Sequence, residues 1–222
     1  MKRTLFYFLG VFSGIASLVG QSHPGYWQQH VDYTMEVDMD VETYQYTGPQ
    51  QLVYTNNSPD TLTRVFYHLY YNAFQPGSEM DLRLQSIKDP DGRMIENGKS
   101  RIASLSETEM GYLHTTALKQ DGNAVTFNEE GTILVVELKQ LLLPGAKTTL
   151  DMEFIGQVNV QIRRSGRNSK EGVALSMSQW YPKLCEYDIE GWHPKPYIAR
   201  EFHGGWGNFD VKLTLDKEYT VG

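Results

Sequence analysis

The chain has a single cysteine, no helical period beyond its first twenty residues, and no catalytic signature of a common hydrolase. Each absence excludes something. One thiol, Cys185, cannot close an internal disulfide, so an exported form would be held by packing alone. Cys185 itself reads as a small buried apolar residue in preference to a nucleophile. A zinc hydrolase draws on three side-chain ligands, two of them usually one helical turn apart. There is no H-E-x-x-H, and His23, His30, His68, His114, His193 and His203 are scattered with no such pairing. A G-x-S-x-G elbow and a P-loop are missing too. Gly204-Gly205-Trp206-Gly207 has no helical pattern after it, so it reads as a turn and not as a nucleotide cradle. We expect no catalytic residue, metal ligand or cofactor site in these 222 residues.

Positive charge is also scarce, with 20 Lys and Arg against 27 Asp and Glu and a net charge of −7. Two of the basic residues, Lys2 and Arg3, precede a mostly apolar run from Leu5 to Val19 and the small Gly20, the pattern of a secretory signal. The run is short for a membrane span. Residues 1–20 are therefore expected to be a cleaved leader, with an uncleaved anchor as the alternative. The mature chain, 21–222, would carry 18 basic and 27 acidic residues, a net of −9. It would be exported, periplasmic or secreted, and free of the membrane. Nucleic acid is excluded as a partner, because an acidic domain gains nothing from counterion release. The length suits one β-rich domain with its own core.

What is present is alternation. Val31, Tyr33, Met35, Val37, Met39 and Val41 are apolar while Asp32, Thr34, Glu36, Asp38 and Asp40 are polar, which predicts a half-buried strand with one wet, acidic face. Those carboxylates fit a solvated face that discourages edge pairing better than a calcium site, since no glycine-containing ligand loop accompanies them. Tyr44 to Tyr54 continues the strand pattern, with Gly48-Pro49 as an expected bulge or hairpin tip. Leu62 to Tyr71 is apolar on both faces, as a central strand covered on two sides would be. His68 lies in that run and reads as a satisfied core or interface histidine in preference to a metal ligand, since no second ligand lies at i+2 or i+4. Residues 72–81 are expected as loop, and 82–87 and 101–105 as short strands or irregular connections. Residues 112–118, 124–128 and 132–138 should form a meander, and 148–155 a further strand. The loop 163–170, with Arg163, Arg164, Arg167 and Lys170, is either solvated or a contact for an anion or a second domain. The predicted class is all-β, a saddle-like antiparallel sheet or sandwich.

The stretch from Ser176 to Val211 stands apart. It holds three of the four tryptophans and three X-Pro steps, Tyr181-Pro182, His193-Pro194 and Lys195-Pro196, each of which pushes the residue before proline into an extended conformation. Long loops are usually functional or disordered, and Trp180, Tyr181, Tyr187, Trp192, Tyr197, Phe202, Trp206 and Phe209 are too aromatic for disorder. A packed, ordered loop between strands at 173–180 and 209–215 is expected. Its aromatics suit core or interdomain packing, or else a binding platform.

In this stretch Tyr181-Pro182, Tyr187-Asp188, Gly191-Trp192-His193, Pro196-Tyr197, Glu201-Phe202 and Gly207-x-Phe209-Asp210-Val211 occur in order, and upstream Pro144-Gly145 is followed by Thr148-x-Leu150-x-Met152-x-Phe154. This pattern resembles the N-terminal β-domain of the aminopeptidase N-like zinc metallopeptidases, peptidase family M1. The resemblance covers nearly the whole mature chain and none of the family's G-A-M-E-N and H-E-x-x-H segments. It implies a non-catalytic N-terminal domain that braces a catalytic domain lying beyond Gly222 and forms one wall of the peptide cleft, with zinc in that missing half. It also implies a substrate-binding role for Gln179, which with Pro182 matches a T-Q-x-E-P-like strand end whose glutamine and acid bind the substrate's free amino end. Tyr181 stands where the acid should be, so the amine would be recognised differently or through Glu186 or Asp188. The alternatives are a free-standing secreted β-sandwich that binds glycan or protein through the aromatic loop 180–209, and a structural module of a surface assembly.

Overall fold

The computed structural model describes residues 25–198 and 202–222; the expected leader, 1–20, lies outside them. The long strands are β1 (His30–Asp40), β2 (Gln45–Thr55), β3 (Leu62–His68), β4 (Tyr112–Gln120), β5 (Thr126–Glu130), β6 (Ile133–Leu142), β7 (Lys147–Gln157) and β8 (Gly207–Thr214). They form two sheets. One runs β8-β1-β2-β7-β4 and is extended by Asn123–Ala124; the other runs from Lys183–Leu184 through β3 and β6 to β5. The chain is an all-β sandwich, as its alternation predicts. Within it β8 lies parallel to β1, with Gly207 opposite Val31 and Asp210 opposite Thr34, while the other strand pairs of both sheets are antiparallel.

The core lies between the sheets. Val31, Tyr33, Met35 and Val37 point inward from β1, as expected from the odd positions, and meet Leu52 and Tyr54 of β2, Leu150, Met152 and Phe154 of β7, and Val65, Tyr67, Leu134 and Val136 of the second sheet. Full burial of one such aliphatic or aromatic side chain contributes roughly 1.5–3 kcal/mol. Gly48-Pro49 is neither a bulge nor a tip. β2 passes straight through it, with Met35 opposite Gln50 and Asp38 opposite Thr47 in one unbroken register. Glycine is needed at 48 because a Cβ there would run into the carbonyl of Glu36 on β1.

The segment between β3 and β4 departs from its expected form. β3 ends at His68, a 3₁₀ turn covers Tyr70–Phe74, and a helix α1 (Glu79–Ser86) replaces the predicted loop and strand. Ser78 caps α1 by accepting from the Asp81 amide, and Asp81 returns the favour by accepting from the Gly77 amide at 2.9 Å. Met80 and Leu84, one turn apart, share a face and build a second core with Tyr70, Phe74, Met94, Ile102 and Tyr197. Eight residues are too few for a helical period to stand out. At 101–105, expected as a short strand or an irregular connection, the chain takes the second form, with a 3₁₀ turn at Ile102–Ser104. The expected meander is split: β4 belongs to the first sheet, and the hairpin β5–β6 to the second.

The expected strand at 173–180 is reduced to Leu175–Ser176, paired with Gly166–Arg167. The polar groups beyond it are taken by side chains instead. Ser165 donates its hydroxyl to the Ser176 carbonyl at 3.0 Å and accepts from the Ser178 amide at 3.3 Å. The 163–170 loop is correspondingly less of a charged patch than its sequence suggests. Arg167 is buried, lies 4.0 Å above the Tyr44 ring and donates to the Thr108 carbonyl. Arg163 points its Nε toward Asp91, 3.6 Å away. No helix among the described residues is long and apolar enough to cross a membrane.

Candidate functional site

The 176–211 segment is packed, and the core strands hold it by its backbone. The Tyr46 hydroxyl donates to the Trp180 carbonyl, Gln50 Nε2 to the Pro182 carbonyl at 2.9 Å, and the Leu184 amide to the Tyr33 hydroxyl at 2.9 Å. Farther along, the Cys185 amide donates to the Phe66 carbonyl at 2.8 Å and the Tyr197 amide to Thr132 Oγ1 at 2.9 Å. Buried phenols and amides thus do two things: their rings and chains fill the core, and their polar tips fix the loop.

Gln179 sits between two anchored groups, the Ser178 amide and the Trp180 carbonyl. Its φ of 56° is left-handed, an arrangement that costs a residue with a Cβ about 1–2 kcal/mol. Its side chain lines a narrow crevice with Tyr70, Tyr71, Arg163, Ser165 and Phe202, with about 20 Å³ open to the centres of water molecules. That is room for about one water, too little for a peptide side chain. Gln179 Oε1 is buried there with no hydrogen-bond partner, which leaves a strong acceptor unused. Tyr181 is not brought to the same place. Its ring packs edge-on to Tyr33 at 5.5 Å and to Phe209 at 5.9 Å, and burial pushes its phenol up to about 12. It is a neutral packing group at any ordinary pH.

Of the two carboxylates that could replace it, Glu186 is half-buried and desolvation raises its pKa. Asp188 opens a short hairpin, Tyr187–Asp188 against Gly191–Trp192, and accepts from the Glu190 amide at 2.8 Å. The hairpin brings His193 beside it, with Nε2 2.8 Å from Asp188 Oδ1, and the returning chain brings His203 Nε2 to 3.8 Å from Oδ2. Reading the histidines by helical spacing misses this group. The signal that could have found it is the turn Asp188-x-x-Gly191, which folds 186–193 back on itself.

Cys185 and His68 form a pair that sequence spacing does not show. Cys185 Sγ lies 3.2 Å from His68 Nδ1, and His68 Nε2 faces the Lys195 carbonyl at 3.1 Å. A carbonyl only accepts, so Nε2 carries the proton and Nδ1 accepts from the thiol. Burial pushes the Cys185 thiol up and the His68 imidazole down to about 4. Both stay neutral and enclosed, so Cys185 is a structural thiol and His68 a satisfied core histidine, as expected.

One surface feature remains. β8 is held along one edge only, and Phe209, Val211 and Leu213 are 47%, 38% and 46% exposed, with Trp206 just before it at 79%.

No family model matches the sequence, and no curated protein does. Solved structures do. Among those matched are M1 zinc metallopeptidases. One, a mutant from Deinococcus radiodurans bound to the substrate Tyr-Ser-Ala, is 16% identical with a TM-score of 0.44, over 84% of this chain and 32% of that one. The enzyme from the same organism without the mutation is 16% identical with a TM-score of 0.43, over 84% and 31%. A two-domain form bound to L-arginine gives 16% and 0.43, over 84% and 32%. The chain thus spans about a third of the length of the structures it matches.

Proposed function

We propose that this chain is the non-catalytic N-terminal β-domain of an exported zinc metallopeptidase of the M1 aminopeptidase type, bracing the catalytic domain and forming one wall of its peptide cleft. The observation that carries the reading is the exposed apolar row Phe209, Val211 and Leu213 on a strand held by one edge, with the exposed Trp206 just before that strand. Exposed apolar surface of this kind marks a contact with another body, and a catalytic domain is the one this reading supplies. The zinc would belong to that catalytic half. Gln179 supports the cleft role: its backbone is fixed, and its buried Oε1 has no partner within the domain. A substrate ammonium would supply the missing donor. Tyr181 carries no charge to anchor that ammonium and acts as packing behind the wall.

The reading frame beyond the Gly222 codon tests the first part. A continuation into G-x-M-E-N and H-E-x-x-H supports the proposal, and a stop codon overturns it. In the parent enzyme, Gln179→Ala should then raise KM for peptides with a free amino end by about 10–100-fold, the scale of a hydrogen bond to a charged group, with little change in kcat. Unchanged KM would remove Gln179 from the substrate site.

The alternative of a free-standing binding module is favoured by one feature, an open pocket of about 450 Å³ lined by Tyr26, Trp27 and the exposed Trp206. It requires saturable ligand binding by the chain alone that Trp206→Ala abolishes.

A further inference from the structure

We propose that Asp188, His193 and His203 form a binding site for a divalent transition metal of the zinc class. Their ligand atoms all lie within 4.8 Å of one another. Tetrahedral zinc with bonds of about 2.0–2.1 Å places neighbouring ligand atoms roughly 3.3 Å apart. The observed separations from the carboxylate, 2.8 Å to His193 and 3.8 Å to His203, bracket that value, so small side-chain rotations complete the geometry.

Two further observations point to a ligand. His193 Nε2 is buried and makes no well-formed hydrogen bond despite its closeness to Asp188. An imidazole nitrogen facing a carboxylate oxygen at short range, off the line along which it would donate, is how two ligands of one cation face each other. The two rings also stand nearly perpendicular, 82° apart with centroids at 4.9 Å, so they approach a common point without stacking. Imidazole nitrogens select zinc-class ions over magnesium or calcium, which prefer all-oxygen sites.

The surroundings leave a position for a fourth ligand. Asp188 and His203 line the 450 Å³ pocket, so water can complete the shell from that side. Lys183 is the nearby opposing charge; its chain passes against Gly204, and desolvation lowers its pKa.

The test is zinc titration of the metal-stripped 222-residue chain by calorimetry, with Co²⁺ absorption as a second readout of ligand geometry. One equivalent of zinc should bind, and His203→Gln should weaken it by more than about tenfold, the least that disturbance of a metal site's shell typically costs. His203 is 59% exposed in its side chain, so that variant keeps the fold. His30→Gln, at a histidine with its own Asp32 partner, should bind as the unmodified chain does. Absence of stoichiometric binding, or binding that survives His203→Gln, overturns the site.

Discussion

The sandwich and the 176–211 segment are built by different physics. In the sandwich, backbone groups pair with backbone groups along ladders and side chains sort by alternation, so β1 buries Val31, Tyr33, Met35 and Val37 and wets Thr34, Glu36 and Asp38. In the segment, strands are only two residues long at 183–184, 187–188 and 191–192. The backbone is fixed there by individual side chains from the sandwich, among them Tyr33, Tyr46 and Gln50. Ladder bonds reinforce one another, whereas single side-chain anchors can be removed one at a time. The sandwich should therefore fail as a unit and the segment piecemeal.

The largest test of that difference is Leu52→Ala. Leu52 is fully buried in β2, and a large-to-small change there costs about 2–5 kcal/mol. Chemical denaturation should show the loss in a single far-UV circular dichroism transition, while tryptophan fluorescence, which reports mainly on Trp180, Trp192 and Trp206 of the segment, begins to change at lower denaturant. Coincident transitions would make segment and sandwich one cooperative body. A smaller effect comes from pH. Burial lowers the His68 imidazole from 6.5 to about 4, so between those values the unfolded chain binds the extra proton and the folded one does not. Stability from this group is thus full above pH 6.5, falls as pH drops, and levels off below about 4, with a total loss on the order of 3 kcal/mol. His68→Gln should flatten the curve in that window; an unchanged slope would place its origin elsewhere.

Tyr46→Phe probes a single anchor. The ring remains over Gly156, its cross-strand neighbour on β7, and only the bond to the Trp180 carbonyl is lost. A net cost of about 1–2 kcal/mol is expected, and limited proteolysis should accelerate around 176–182 more than elsewhere. Uniform acceleration would show that segment and sandwich are one cooperative body.

The same contrast explains what the sequence made legible. Period two marks β1, β2 and β7 because each has one face in the core and one in water. The wrong expectations fall where that rule is absent. The helix Glu79–Ser86 is one short amphipathic turn pair over a satellite core, and 173–180 has a strand-like composition whose partners turned out to be Ser165 and Tyr46. Gln179 was singled out by its motif neighbours, but its left-handed backbone was not legible, because nothing in Ser178-Gln179-Trp180 demands a positive φ. The Asp188–His193–His203 group depends on a hairpin and a chain return that no linear spacing encodes.

The smallest effect in the isolated chain is expected at Trp206. It is 79% exposed, so Trp206→Ala should shift stability by no more than about 0.5 kcal/mol. That near-silence is informative only beside a second measurement. If the apolar row on β8 is the seat of a catalytic domain, the same substitution in the full-length parent removes a large buried aromatic from an interface, and such centres commonly cost about 2 kcal/mol or more. A substitution silent in the part and costly in the whole locates the contact at the start of this strand. Equal, negligible effects in both would leave Trp206 on a free surface, and the bracing role would then have to rest on Phe209, Val211 and Leu213 alone.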